Sequence, residues 1–248
     1  MAIFLSTRGT PVATAWLQSP CSVLFEMAHR APGQNIDMEL GGRLFHIVQG
    51  ADAMRHVLRD NLDNYPKYFA KYRGFFGESR LTADGDVWRR LRDRSQPFIT
   101  AVTPGQVVHV AGRYFTEAVD ALIAQGGEVN VDTEVDFAAA RTVGDTVLGF
   151  PFEAWGRGGL EEMRVILRFA SLMNFPTFAP GSPEYESRRA EATAALHRLG
   201  DRFRAAVIGA GDDSAGLLRL IQKGDNEDVD LFGEMATHLF AGFDTTAA

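Results

Sequence analysis

The chain holds one cysteine, Cys21, among its 248 residues, which excludes an intrachain disulfide framework and fits a reducing cytoplasm. No run approaches about 18 consecutive apolar residues, the length at which a membrane span becomes legible. The N-terminal Met1-Ala2-Ile3-Phe4-Leu5 is broken at once by Ser6, Arg8, Gly9 and Pro11, so neither a leader nor a membrane anchor is expected, and the chain reads as soluble and cytoplasmic. Positive charge is scattered. The net charge is -7 and no dense Lys/Arg block occurs, which leaves nucleic acid without support as a partner. His-Glu-x-x-His, Gly-x-Ser-x-Gly, a phosphate-cradling Gly-rich loop and a Cys cluster are all absent, so hydrolase, nucleotide-binding and iron–sulfur readings lose their usual basis. The six histidines, His29, His46, His56, His109, His197 and His238, are scattered through different elements and read as surface or core residues rather than metal ligands. His238 lies one turn before Ala241, where it could face a cavity.

What is present is mostly helix. With 46% hydrophobic residues and no repeat, low-complexity segment or interdomain linker, one globular core is expected. Val23, Leu24, Met27 and Ala28 mark a helix closed by Pro32-Gly33. Ile36 to Leu40 and Leu44 to Val48 flank Gly41-Gly42 as a two-residue-turn hairpin, the one clear piece of β structure. A helix spans 51–61. Val107, Val110, Ala111, Tyr114, Phe115, Ala118, Leu122 and Ile123 form an apolar stripe ended by Gly126-Gly127. Val131 to Phe150 follows with Phe137, Ala140, Val143, Val147 and Leu148 inward, then Leu160 to Met173. The proline-rich stretch from Asn174 to Pro183 must loop. Glu184 to Ile208 resumes with Leu196, Leu199, Phe203 and Val207 as its core face, a short helix covers Leu217 to Ile221, and Lys223 to Asp230 is a charged loop. The aromatic run Tyr65, Tyr68, Phe69, Tyr72, Phe75 and Phe76 admits two readings, core packing or the wall of a ligand pocket.

The last twenty residues concentrate the chemistry. Leu231, Phe232, Met235, Leu239, Phe240 and Phe243 recur at helical spacing on more than one face, after Asp230 as N-cap and with Glu234 in the first turn. Then come Ala241-Gly242-Phe243-Asp244-Thr245-Thr246. Two small residues let something approach the backbone closely, and a carboxylate and two hydroxyls follow. Thr245, four residues after Ala241, can turn its hydroxyl onto that carbonyl and loosen the helix. A dent of this kind suits handling a small molecule and its protons; the other reading is a helix end whose Asp and Thr face solvent.

A second informative stretch runs from Leu81 to Arg92. Asp84-Gly85 makes a turn and a helix begins with Asp86. Trp88 and Arg92, four apart, share a face, so an indole N–H and a guanidinium can converge on one anion. A cation–π pair on a surface helix is the alternative.

A Gly-x-x-Trp-x-x-x-Arg helix followed about 150 residues later by Ala-Gly-x-Asp-Thr-Thr resembles the cytochrome P450 superfamily, the haem-thiolate monooxygenases, in order and spacing. The resemblance implies a mainly α, cytochrome P450-like helical fold with a small β-hairpin. It covers essentially the whole chain but only the first half to three-fifths of the family's length, so 1–248 reads as one incomplete domain with no second domain and the C-terminal part missing. It implies haem b (iron-protoporphyrin IX) with Trp88 and Arg92 on its propionates, Ala241 and Gly242 lining its oxygen side, and Asp244 and Thr245 as catalytic groups delivering protons. Tyr72, Phe75, Phe76, Phe175 and Phe178 become substrate-lining candidates. The implied reaction puts one atom of O2 into a hydrophobic organic substrate with electrons from a ferredoxin or flavoprotein reductase, docking by Arg89 and Arg90.

One departure is plain. The family's iron-ligating cysteine loop, Phe-x-x-Gly-x-x-x-Cys-x-Gly, and its Glu-x-x-Arg pair do not occur, and Cys21 lacks the surrounding motif. No metal ligand is therefore assigned in this chain, a missing C-terminal half becomes a required partner, and the isolated chain is expected to be inactive. The alternative from another class is a non-enzymatic helical protein that binds an apolar ligand or a partner chain.

Overall fold

The computed structural model describes residues 3–6, 19–40, 43–67, 69, 72–128, 130–150, 152–174, 181–209, 216–218 and 231–247. They divide into two units, residues 1–66 and 67–248, each taken by itself.

The first unit is a small sheet beside short helices: β1 (Ile3–Ser6), α1 (Pro20–Arg30), β2 (Ile36–Leu40), β3 (Arg43–Ile47) and α2 (Ala51–Arg55), which widens into a π turn over His56–Asp60. Proline opens α1, where no backbone N–H is required. Val23 and Met27 on its inner face pack with Ala31, Ile36 and Met38, the inward residues of β2 in a period-2 alternation. Leu40 stands opposite Arg43, so the turn holds two residues, as the Gly41-Gly42 pattern predicts. Asp37 and His46 pair across the hairpin at 2.6 Å. The sheet has a third strand that the sequence reading missed: β1 lies parallel to β2, Ile3 opposite Ile36. Four residues ending at a Ser/Arg/Gly/Pro-rich stretch carry almost no periodic signal, and their partner lies far along the chain.

The second unit is helical: α3 (Arg73–Phe76), α4 (Gly85–Thr100), α5 (Pro104–Gln125), α6 (Asp132–Val143), α7 (Gly156–Asn174), α8 (Pro183–Gly209) and α9 (Leu231–Ala247). Residues 216–218 are also helical. Helix α5 starts on a reciprocal cap in which the Thr103 hydroxyl accepts the Gln106 N–H and the Gln106 side chain accepts the Thr103 N–H. Its stripe buries Tyr114 and Ala118. Ile123, expected inward, is 72% exposed. At about 100° per residue it lies half a turn round the helix from Tyr114, a drift that apolar counting alone overlooks. Helix α6 continues as a π turn, Gly144–Leu148, ended by Gly149 in the left-handed region.

The core gathers Ala139, Ala140 and Val143 of α6, Leu160, Met163 and Ile166 of α7, Leu199 and Phe203 of α8, and Met235, Leu239, Phe240 and Phe243 of α9. Glu162, buried on α7, accepts from Arg198 Nε at 3.0 Å and Arg202 Nε at 2.7 Å on α8, so its charge is paired twice and fixes how the two helices lie together. The Asp230 cap, the charged loop at 223–230 and the loop at 175–180 lie outside the described residues. Among the described residues no helix is long and apolar enough to cross a membrane.

Helix α9 packs closely on α6 at Gly242. A Cβ built on Gly242 would stand 2.4 Å from Val143 Cγ2, and Val143 is a β-branched residue with little freedom to turn away. Gly242→Ala is therefore expected to lower the urea midpoint by an amount corresponding to about 1–3 kcal/mol, with most of the loss restored by adding Val143→Ala. An unchanged midpoint for the single variant would remove the contact from the account.

Candidate functional site

The two informative stretches of sequence are physically joined by the segment between α3 and α4. Ser79, Thr82 and Ala83 are fully buried there. The Thr82 hydroxyl donates to the Gly77 carbonyl at 2.8 Å and accepts the Ser79 N–H at 3.0 Å, so the turn folds onto its own polar groups. Arg80 then reaches both ways. Its backbone N–H donates to Glu234 of α9, while its guanidinium donates to Gln96 Oε1 at 2.9 Å and to Ser95 Oγ at 3.3 Å, both on α4. The Thr237 hydroxyl donates to Ser79 Oγ at 2.8 Å, a second tie to α9.

Helix α4 begins at Gly85, whose φ of 57° meets the predicted Asp84-Gly85 turn. Asp84 does not cap the helix; its carboxylate accepts the Lys67 N–H at 3.1 and 3.2 Å. The Lys67 ammonium donates to the carbonyls of Arg80 at 2.7 Å and Ala83 at 3.1 Å and lies 5.0 Å from the centre of the Trp88 ring. Burial lowers its pKa, opposed chiefly by the neighbouring Asp84. From the same helix the Arg92 guanidinium stands 5.2 Å from that ring centre. Trp88 and Arg92 thus share a face, as the i,i+4 spacing predicts, and the cation–π arrangement weighed from the sequence is present too. Among the described residues neither the indole N–H nor the Arg92 guanidinium has a hydrogen-bond or carboxylate partner, so an exposed arginine and a half-buried indole offer uncommitted donors to an anion. Arg89, by contrast, pairs with Asp86 at 2.6 Å.

On α9 the Thr245 hydroxyl donates to the Ala241 carbonyl at 2.6 Å, the bond expected from the sequence. Ala241 and Thr245 are exposed on one face, whereas Gly242 lies against Val143. The close approach that glycine permits here is made by α6. The side chain of Asp244 lies outside the described residues. Of the substrate-lining candidates, Tyr72 is buried and its hydroxyl donates to the Ala170 carbonyl of α7 at 3.3 Å. Phe76 is buried with its ring edge-on to Phe240 of α9 at 5.5 Å. Both belong to the main core cluster, so they tie α3 to the longer helices whatever else they line. Phe75 is described in its backbone alone, and Phe175 and Phe178 lie outside the described residues. Sequence reasoning missed Lys67, Ser79 and Arg80. Glu234 stands in the first turn of α9 as expected, but its burial, at 2% exposed, was not foreseen. Only the odd placement of an acid in an apolar run could have signalled the last.

Haem is an acidic, flat, largely apolar group. The uncommitted donors of Trp88 and Arg92 fit its carboxylates, and the open Ala241–Thr245 face fits a group that must meet a small polar molecule. Among the described residues no cluster of His, Cys, Asp or Glu could hold a metal ion, and Cys21 is exposed on α1 of the first unit. The Trp88 and Arg92 donors therefore fit the carboxylate edge of such a group.

The family model described as Cytochrome P450 matches residues 12–248. No curated protein matches the chain. Among solved structures the crystal structure of the cytochrome P450DA heme domain is similar, with a TM-score of 0.71 at 19% identity, covering 100% of this chain and 58% of that one. At that identity the likeness shows a shared fold, and this chain spans rather more than half of its neighbour's length.

The Lys67 clamp supports the indole from the side of the buried segment. Lys67→Met keeps the stem and removes both carbonyl contacts, so a red-shifted Trp88 emission, read in a Trp16→Phe, Trp155→Phe background, is expected together with a loss of about 1–2 kcal/mol by urea unfolding. Unaltered emission and stability would show that Lys67 does not hold Trp88.

Proposed function

The chain belongs to the cytochrome P450 family, and from that premise we propose that it is part of a haem-dependent monooxygenase that inserts one atom of O2 into a hydrophobic organic substrate. The observation that carries the reading is the pair of uncommitted donors, Trp88 and Arg92, on a helix tied through Arg80 to the helix bearing Ala241 and Thr245. In this reading residues 1–248 form part of a single domain, and the ligand to the iron comes from sequence outside this chain.

When bound, haem b supplies the redox chemistry at oxygen. The chain's own residues do the rest. Trp88 and Arg92 neutralise and orient the propionates, a bidentate guanidinium and one N–H being suited to carboxylate oxygens. Ala241 keeps the α9 face low enough for a flat group to approach, and Gly242 lets the helix sit back against Val143. The Thr245 hydroxyl, which donates to the Ala241 carbonyl at 2.6 Å, retains two lone pairs and so can accept from water while it donates. Asp244 links that water to solvent protons. Tyr72 and Phe76 are assigned to the apolar side toward substrate. Arg89 and Arg90 present positive charge to an acidic electron donor, a ferredoxin or flavoprotein reductase.

One observation favours a second reading, in which the chain packs against a partner chain. Val108, Val119 and Ile123 are 71%, 52% and 72% exposed on one side of α5, an apolar stripe of the kind that buried interfaces use.

Haem titration separates the two. The purified chain is expected to take up haem, with uptake weakened at least about tenfold in a Trp88→Phe, Arg92→Leu double variant, and to lack the red-shifted thiolate Soret band after reduction and carbon monoxide. Uptake indifferent to both substitutions would favour the partner-chain reading. In a form completed with the iron-ligating sequence, Thr245→Ala is expected to divert reducing equivalents from product to peroxide. Unchanged coupling would take Thr245 out of proton delivery.

A further inference from the structure

We propose that His238 accepts a hydrogen bond from the hydroxyl group of an apolar ligand, and that Glu234 holds the ring in the tautomer that can do so. The proposal rests on the reading of the exposed α9 face as the ligand side, and it assigns that ligand a chemical class.

At about 100° per residue Glu234, His238, Ala241 and Thr245 fall on one stripe of α9, while Met235, Ala236, Leu239, Phe240 and Phe243 face the core. The two ends of the stripe differ. Ser79 and Arg80 cover its N-terminal end, and Ala241 and Thr245 lie open at the other. His238 stands at the border, its side chain 17% exposed against 2% for Glu234.

Glu234 Oε1 accepts the Arg80 N–H, whereas Oε2 faces His238 Nε2 at 3.4 Å, and both of these atoms are buried without a hydrogen bond. A buried carboxylate oxygen demands a donor. Among the described residues the imidazole is the group placed to give one, through Nε2–H. The Lys67 ammonium, whose charge Glu234 also feels, donates instead to the Arg80 and Ala83 carbonyls. A carboxylate beside one ring nitrogen selects the tautomer protonated there and leaves the lone pair on the other. Nδ1, which is not among the buried unpaired atoms, is then left as the ring's acceptor. An O–H donating to Nδ1 completes a row of donors, from ligand to imidazole to Glu234, each polarising the next. An alcohol or phenol satisfies that acceptor; a carboxylate would meet a lone pair backed by a negative charge.

The test uses the purified full chain and three probes of nearly one shape: 4-phenylphenol, biphenyl and biphenyl-4-carboxylate. Calorimetry is expected to show 4-phenylphenol binding about tenfold more tightly than biphenyl and the carboxylate no better than biphenyl. The preference should vanish in His238→Leu and shrink in Glu234→Gln, with circular dichroism confirming that each variant is folded. For a variant that does not fold, nitrogen NMR of the wild-type ring at pH 8 decides: the proton is expected on Nε2, with the Nδ1 signal moving when 4-phenylphenol is added. Equal affinity for the phenol and biphenyl, binding of neither, or an unmoved Nδ1 signal overturns the proposal. Haem uptake is read in parallel. A chain that takes up haem in the Trp88- and Arg92-dependent way yet treats the probes alike loses only the His238 assignment, whereas a chain that discriminates the probes without that uptake keeps it and loses the monooxygenase reading.

Discussion

The arrangement turns on Arg80. Its backbone N–H donates to one oxygen of a carboxylate on α9, its guanidinium reaches Ser95 and Gln96 on α4, and its carbonyl accepts the Lys67 ammonium. One residue in a non-helical segment thereby joins two helices widely separated in the sequence, and it does so with hydrogen bonds, which fix direction as well as distance. Apolar contact alone could not do this: α4 is rich in arginine and buries only Leu91 and Ser95, so it has little greasy surface with which to find a register. The cost of burying Glu234 makes the tie strong, since loss of the Arg80 contact would leave that carboxylate without its backbone donor.

Against that background the charged groups divide into those already satisfied and those left over. Glu162 is paired with Arg198 and Arg202, and Arg164 with Asp136 and Glu161. Arg141 lies 3.8 Å from the centre of the Tyr114 ring with Glu117 at 2.7 Å, and the Tyr114 hydroxyl donates to Asp145. Burial together with that acidic neighbour raises the phenol's pKa and keeps it protonated. These pairs link α5 to α6, α6 to α7 and α7 to α8. Trp88 and Arg92 touch each other and nothing acidic among the described residues. Arg92 is exposed and Trp88 half-buried, so both donors stay within reach of solvent or of an anion.

Most helices were legible because their apolar residues recur at the right period and glycine or proline marks their ends. The hairpin was legible because two glycines sit between alternating runs. Thr245 could be placed on the Ala241 carbonyl from spacing alone, since that bond is local. The rest depended on contacts between residues far apart in sequence. Nothing in Gly77-Glu78-Ser79-Arg80 announces that the segment will cross from α4 to α9. Nothing near Glu234 announces a backbone N–H waiting for it. Ile123 failed for another reason: counting apolar residues ignores angle, and a stripe must be followed round the helix before its members are assigned to a core. Tyr72 and Phe76 show the limit of composition, for an aromatic run reads alike whether it builds a wall or a core, and only the Ala170 carbonyl and the Phe240 ring tell where these two are engaged.

Ala241 and Gly242 sharpen the same lesson. Read in line they look like one device, two small residues clearing space for a ligand. On a helix they point about 100° apart and serve different neighbours. Gly242 is small because Val143 leaves no room for a Cβ, so its identity is dictated by how closely α9 must pack on α6. Ala241 is exposed, and packing within the described residues does not account for its size. Its side chain lies on the face that carries Thr245 and His238, and its carbonyl accepts the Thr245 hydroxyl. Steric demand from within explains the glycine, whereas the alanine beside it is under no such demand from the residues described.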